Sequence, residues 1–205
     1  VVIDIPWGHG AKIESKREAK VLRKLFLCVG KRIGLRMKVI LTDGSQPIGR
    51  GIGPALEASD VISALKGDGP HDLREKAVFM ATALLKLIGE KDPETKVRTV
   101  LDSGRAYQKF REIIAAQGGL KRPVIPRARS FFDVFAERNG TVTQIDNKKV
   151  TQLGLLTGAP EDKTAGIYLR VTRGQKVAKN DELFTVYSNT EQNLDTVKKR
   201  LKELN

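Results

Sequence analysis

The sequence predicts a mixed α/β protein, and three observations indicate this fold class. An apolar strand pattern at the start of the chain is followed by an amphipathic helical stretch and a second apolar strand. Helical patterns then occupy the middle of the chain, and short strand patterns between Gly and Asn turns dominate it after residue 130. The 205 residues are 40% hydrophobic, which is enough to bury a core in one large domain or two small ones.

The first three elements predict a strand–helix–strand unit. Residues 1–5 read Val-Val-Ile-Asp-Ile, which is typical of a buried strand in a parallel sheet. Residues 16–33 carry apolar side chains at three- and four-residue spacing, and this spacing predicts a helix. A second strand is predicted at 36–41. Such a unit is expected to be parallel, with a right-handed crossover.

A glycine-rich loop follows the second strand, and residues 41–60 read LTDGSQPIGRGIGPALEASD. Glycine allows the backbone to approach another group closely, and Pro54 suits the first turn of a helix. Because open α/β sheets bind ligands at the carboxyl ends of their strands, the position predicts a binding loop. For Asp43, at the start of this loop, turn capping is favoured over catalysis.

The remaining patterns predict two further regions. Before residue 120 the chain is predicted to form helices at 54–65, 72–88 and, as one long element, 95–116. Two prolines among basic residues indicate a linker at 121–129, so the predicted domains are 1–120 (α/β) and 121–205 (α+β). The second domain is predicted to hold strands at 131–136, 140–145, 167–171, 175–177 and 183–187, and helices at 148–156 and 190–204.

Composition narrows the range of partners. The formal net charge of +13 is compatible with a solvated basic surface or with an anionic partner such as phosphate, a nucleotide or nucleic acid. Aromatic residues make up only 5% of the chain, so a nucleic-acid partner is not favoured. No stretch is apolar and long enough to predict a membrane span. Cys28, on an apolar helical stretch, is expected to be a small core residue in a reducing, cytoplasmic compartment.

Few residues carry a recognisable chemical motif. His9 and His71 lack metal-ligand spacing, and the glycines match neither a Walker loop nor a dinucleotide fingerprint. His9 and Lys12 follow the first strand and are candidate substrate-binding residues; the alternatives are an exposed imidazole and a surface lysine. Carbonyl groups of the glycine loop together with the carboxylate of Asp60 would suit an alkali cation.

The chain begins without methionine, inside a predicted core strand. We therefore expect it to be the C-terminal part of a longer protein.

Five sequence blocks in a fixed order carry a family resemblance: VVIDIPWGHGAKIES, LTDGSQPIGRGIGPALEASDVI, LDSGRAYQKFREIIAAQGG, AERNGTVTQIDN and KVAKNDELFTVYS. They resemble the thymidine and pyrimidine-nucleoside phosphorylase family, in particular its long branch that includes AMP phosphorylases. The resemblance implies a pentosyltransferase that converts a nucleoside and inorganic phosphate into a free base and a pentose 1-phosphate. It also implies a homodimer and no organic cofactor.

The same resemblance implies where this chain lies in the family fold. It would be the second half of the parallel-sheet α/β domain, followed by a C-terminal domain of the barrel-sandwich hybrid type. The catalytic residues would lie upstream of residue 1, so the chain alone would be inactive. The glycine loop would then be a rim that supports a cation rather than the ligand-binding loop itself.

Family positions imply roles for four residues. Lys12 stands where pyrimidine-specific relatives have an apolar residue that lines the base pocket, and this difference would suit a substrate with an additional phosphate. The potassium site of bacterial relatives would correspond to the carbonyl groups of Ile48 and Gly51 and the carboxylate of Asp60, where relatives have Glu. The alternatives are AMP phosphorylase-type nucleotide phosphorolysis, a basic nucleic-acid-binding module and, with Lys148, Lys149 or Lys179, a prosthetic-group carrier.

Overall fold

A computed structural model describes residues 1–120 and 122–204, and this part of the chain is a mixed α/β structure with seven helices and eight strands. The strands are β1 (Val2–Trp7), β2 (Lys38–Asp43), β3 (Gly51–Ile52), β4 (Ser130–Phe135), β5 (Gly140–Thr141), β6 (Gly166–Leu169), β7 (Lys176–Val177) and β8 (Glu182–Ser188). The helices are α1 (Lys16–Arg32), α2 (Pro54–Lys66), α3 (His71–Leu87), α4 (Pro93–Asp102), α5 (Arg105–Ala116), α6 (Asn147–Leu156) and α7 (Glu191–Leu204).

The predicted strand–helix–strand unit is confirmed. Strands β1 and β2 pair in parallel, from Val2 opposite Lys38 to Trp7 opposite Asp43, and α1 connects them. A capping box, in which Ser15 and Glu18 satisfy each other's backbone N–H groups, starts α1 at Lys16. One stripe of α1 packs on the strand pair around Ile5, Ala19 and Val39.

The opposite side of α1 corrects the expectation for Cys28, whose side chain is exposed rather than buried. Its apolar neighbours Val21, Leu25 and Ile33 are likewise 53%, 58% and 66% exposed. The apolar pattern of α1 is wider than the surface that two strands can cover. Burial follows the Ala19 stripe, and Cys28 lies outside it.

The helix predicted at 95–116 is wrong as a single element. The chain forms α4 and α5 instead, because Gly104 adopts a left-handed backbone (φ +74°) that ends the first helix. Arg98 of α4 holds this helix against α3 through paired hydrogen bonds to the carboxylate of Glu75, at 2.8 and 2.9 Å.

None of the helices in the described residues is both long and apolar enough to cross a bilayer.

The larger sheet has the strand order β3-β6-β8-β4 and is antiparallel throughout. Helices α6 and α7 contribute to the core on one of its faces, whose buried residues are Leu153, Ile167, Leu169, Val186, Leu194 and Val197.

The strand predicted at 140–145 is shorter than expected, since only Gly140–Thr141 pairs, with β7. Residues 122–129 contain no helix or strand, and Lys121 of the predicted linker lies outside the described residues.

Strand β3 was not predicted, and it lies within the glycine loop. Gly51 pairs with Tyr168 and Ile52 with Ile167, while the Leu169 N–H donates to the Arg50 carbonyl at 2.8 Å. The larger sheet therefore contains one strand from before residue 120. The glycine loop joins the parallel strand pair to this sheet.

Gly53 shows why the loop needs glycine at this point. Its backbone has φ +125°, and an added Cβ atom would lie 2.3 Å from the carbonyl oxygen of Ala165. Any side chain would push β3 away from β6.

We expect Gly53→Ala to lower the free energy of unfolding by about 3 kcal/mol or more, because strain at this φ adds to the backbone clash. Gly67→Ala is the matched control: φ is +99° there, but nothing lies within 4 Å of an added Cβ. It should cost only about 1 kcal/mol. Urea unfolding of both variants measures the difference, and equal losses would contradict the packing described for Gly53.

Candidate functional site

The loops after β1 and β2 lie side by side at one edge of the parallel pair. The Gly44 N–H of the second loop donates to the Trp7 carbonyl at the start of the first, at 2.8 Å. The first loop carries both predicted substrate-binding residues, and the side chains of His9 and Lys12 are exposed there. In the described part of the chain, Lys12 has no ion-pair partner.

A partly buried polar cluster ties the two strands to α3 beneath these loops. Lys76 of α3 forms an ion pair with Asp4 of β1 at 2.5 Å and donates to the Thr42 hydroxyl of β2 at 2.7 Å. The Thr42 hydroxyl in turn donates to Asp4 at 2.8 Å. The ion-paired side chains are only about one fifth exposed, so the cluster fixes the direction in which both strands leave the sheet.

The C-terminal part of the chain holds both loops from the other side. The amide of Asn147, at the start of α6, donates to the Gly44 carbonyl at 2.8 Å. Lys148 pairs with Glu14 at 2.7 Å. Arg173 donates to the Ser45 hydroxyl at 2.6 Å and is 3.2 Å from the Asp43 carboxylate.

These contacts also set the electrostatics of the edge. The hydrogen bond from Lys148 lowers the pKa of Glu14, and nearby His9 adds to this effect. Hydrogen bonds from Ser45 lower the pKa of Asp43, and Arg173 contributes a smaller part. Each of these carboxylates is therefore paired with a basic side chain, Glu14 with Lys148 and Asp43 with Arg173.

Asp43 is confirmed as a turn-capping residue, since its carboxylate accepts the N–H of Ser45 at 2.9 Å.

Carboxylates from the following helices hold the glycine loop. Asp60 is 5% exposed, and its Oδ2 accepts the N–H groups of Arg50 at 2.6 Å and Gly51 at 2.8 Å. The Gly49 N–H donates to Asp72, and the Gly53 N–H donates to Glu57. The loop therefore directs these four N–H groups at the protein's own carboxylates, which argues against the expectation that these backbone donors bind a ligand.

Two of the three proposed potassium ligands are in contact. Asp60 and Gly51 meet through the Gly51 N–H rather than its carbonyl group. Ile48 is 40% exposed. A potassium site at Ile48, Gly51 and Asp60 stays a prediction, whereas the observed contact of Asp60 is with backbone donors.

Comparison with known proteins gives three findings. Residues 141–205 match the family model of the pyrimidine nucleoside phosphorylase C-terminal domain. The chain is 45% identical over 203 residues to an AMP phosphorylase of Pyrococcus furiosus, covering 95% of this chain and 40% of that protein. It is 43% identical over 192 residues to a putative thymidine phosphorylase of Legionella pneumophila (strain Paris), covering 91% of this chain and 37% of that protein.

Over most of its length the chain is similar to these phosphorylases, and residues 141–205 match the C-terminal domain of pyrimidine nucleoside phosphorylases. The chain spans about two fifths of the length of these relatives. The resemblance seen in the five sequence blocks is thereby confirmed.

Several residues that shape this edge were not predicted from the sequence. The sequence around Asp4 could have indicated its role, because a lone carboxylate within an apolar strand needs a buried partner. No sequence pattern indicates the roles of Asn147 and Arg173, since each contacts a loop more than 100 residues away in the sequence.

The Asp60 contacts predict that this residue stabilises the fold. We expect Asp60→Ala to cost about 3 kcal/mol or more, because it leaves the buried N–H groups of Arg50 and Gly51 without an acceptor. Asp60→Asn, which keeps one oxygen, should cost less. Asp68→Ala, at an exposed carboxylate nearby, is the control and should change stability by under about 0.5 kcal/mol in urea unfolding. A loss at Asp60 no larger than at Asp68 would contradict this role.

Proposed function

We propose that this chain is the C-terminal part of a pentosyltransferase that cleaves the N-glycosidic bond of a nucleoside or nucleotide with inorganic phosphate. The products are a free base and a pentose 1-phosphate. The arrangement at the edge of β1 and β2 supports this proposal: two loops held on both sides present Lys12 and His9 to solvent. The similarity to phosphorylases supports the reaction class.

This reaction demands positioning more than covalent chemistry. Its transition state resembles an oxocarbenium ion, so phosphate, sugar and base must be aligned in advance, and the departing base needs donors for its growing negative charge. Loops held by the Asp4–Lys76 pair and by Arg173 suit such a role. The residues that grip phosphate and base are expected upstream of residue 1, and we propose that the chain alone is inactive and that the whole protein is a homodimer.

The finer fold assignment is part of the proposal. Residues 1–120 would form the second half of the family's α/β domain, and the parallel pair of β1 and β2 supports this. Residues 121–205 would form the barrel-sandwich hybrid-like C-terminal domain, which is supported by the family match over 141–205.

Two substrate classes fit this reaction, and Lys12 distinguishes them. A pyrimidine nucleoside such as thymidine needs an apolar contact at this position, whereas a nucleoside monophosphate offers an anion to the free ammonium group. The exposed, unpaired Lys12 therefore favours a nucleoside monophosphate. Phosphorolysis of thymidine is the other candidate. It is supported by the similarity to the Legionella protein, which is named a putative thymidine phosphorylase.

The reaction is tested with the full-length protein, phosphate and, in turn, AMP, thymidine and uridine, by following release of the free base. We expect phosphate-dependent release from at least one of them, and AMP to be preferred. No release from any nucleoside or nucleotide would refute the proposed function.

Lys12→Phe in the full-length protein tests the choice of substrate. We expect kcat/KM for AMP to fall by about tenfold or more, since a charge-assisted hydrogen bond to phosphate is lost, while activity on thymidine is kept or raised. Lys20→Phe, at an exposed lysine of α1, is the matched control and should change neither value. An unchanged ratio of the two activities in Lys12→Phe would mean that Lys12 does not contact the substrate.

A further inference from the structure

A cleft lies on the larger sheet, on the face away from α6 and α7. It is bounded by this sheet face, by α2 and by residues 125–128, and its volume is about 670 Å³. Clefts of this size bind small molecules. Three aromatic rings and two guanidinium groups line it: Phe131, Tyr168, Tyr187, Arg127 and Arg170.

Strand alternation explains why the rings share one face. Ile167 and Leu169 of β6 and Val186 of β8 point into the core, so their neighbours Tyr168 and Tyr187 point the other way. Phe131 of β4 pairs directly opposite Tyr187, and the two ring centroids are 5.9 Å apart. The Phe131 side chain is nevertheless 61% exposed, so this ring remains available to a further partner.

The cleft is also positively charged. Arg170 lies over the Tyr168 ring, with its guanidinium carbon 4.9 Å from the ring centroid, and Glu182 holds it at 3.5 Å. Arg127 is exposed and has no ion-pair partner in the described part of the chain. Among the described residues that line the cleft, none carries a carboxylate. An anionic group that enters would therefore meet a free guanidinium without a competing acid.

We propose that this cleft binds a nucleotide, with the nucleobase stacked on Phe131 and the phosphate paired with Arg127. A flat aromatic ligand fits an open phenyl ring, because every nucleobase has a π face that can stack on it. A guanidinium group binds phosphate through two parallel hydrogen bonds. The bounded cleft favours a single nucleotide over an extended strand. The proposal does not depend on the phosphorolytic reaction.

The test is calorimetric titration of the 205-residue chain with AMP, adenosine and inorganic phosphate. AMP should bind at least about tenfold more tightly than adenosine or inorganic phosphate, because only AMP engages both the Phe131 ring and the Arg127 guanidinium. Phe131→Ala and Arg127→Ala should each weaken AMP binding at least about fivefold. Phe135→Ala and Arg122→Ala are matched controls, an exposed ring of the same strand and an exposed arginine of the same segment, and should leave it unchanged.

Three outcomes would overturn the proposal. The first is no binding of AMP at millimolar concentration. The second is binding that Phe131→Ala and Arg127→Ala weaken no more than the controls do. The third is a decaadenylate strand that binds more tightly than AMP and depends on the same two residues, because this would assign the cleft to single-stranded RNA. No catalytic turnover is measured, so failure here is separate from failure of the proposed reaction.

Discussion

The two hydrogen bonds from the Arg50 and Gly51 N–H groups to the buried Asp60 carboxylate organise the rest of the structure. They turn a glycine-rich loop into a defined backbone and set the direction of β3. Because β3 then pairs with β6, the parallel strand pair and the larger sheet are joined at this point. Gly53 and the Ala165 carbonyl allow the close approach that this junction needs.

A fixed junction also fixes the edge where the candidate substrate-binding residues lie. Asn147 and Arg173 reach the loops after β1 and β2 only because the larger sheet is held beside these loops. Acidic groups of these loops are then paired, and Lys12 has no ion-pair partner in the described part of the chain. The same sheet exposes aromatic rings and arginines on its other side. One packing arrangement thus creates the two surfaces for which we propose phosphate-bearing aromatic ligands.

Much of the fold could be predicted, because it depends on local patterns. The apolar run at 1–5, the helical spacing over 16–33 and the proline at position 54 each indicate an element by local chemistry. The errors have physical causes as well. Helical periodicity continues across Gly104, so the break between α4 and α5 is visible only in the backbone conformation. Strand β3 has two residues, too few for alternation to be recognised.

The candidate site was less predictable than the fold. His9 and Lys12 could be placed on the edge loops, since parallel strands end together. Their surroundings could not, because the Lys148–Glu14 pair joins residues 134 positions apart in the sequence. The exposure of Cys28 depends on how much of α1 the strand pair covers, which no local pattern encodes.

Amide hydrogen exchange at the glycine loop tests the central claim most directly. If Asp60 fixes the loop and thereby β3, the amides of Arg50, Gly51 and Leu169 should be as strongly protected as the amides that link β6 and β8. Asp60→Ala should reduce the protection of all three together. Exchange of the Arg50 and Gly51 amides at the rate of an open surface loop in the unsubstituted chain would contradict the account.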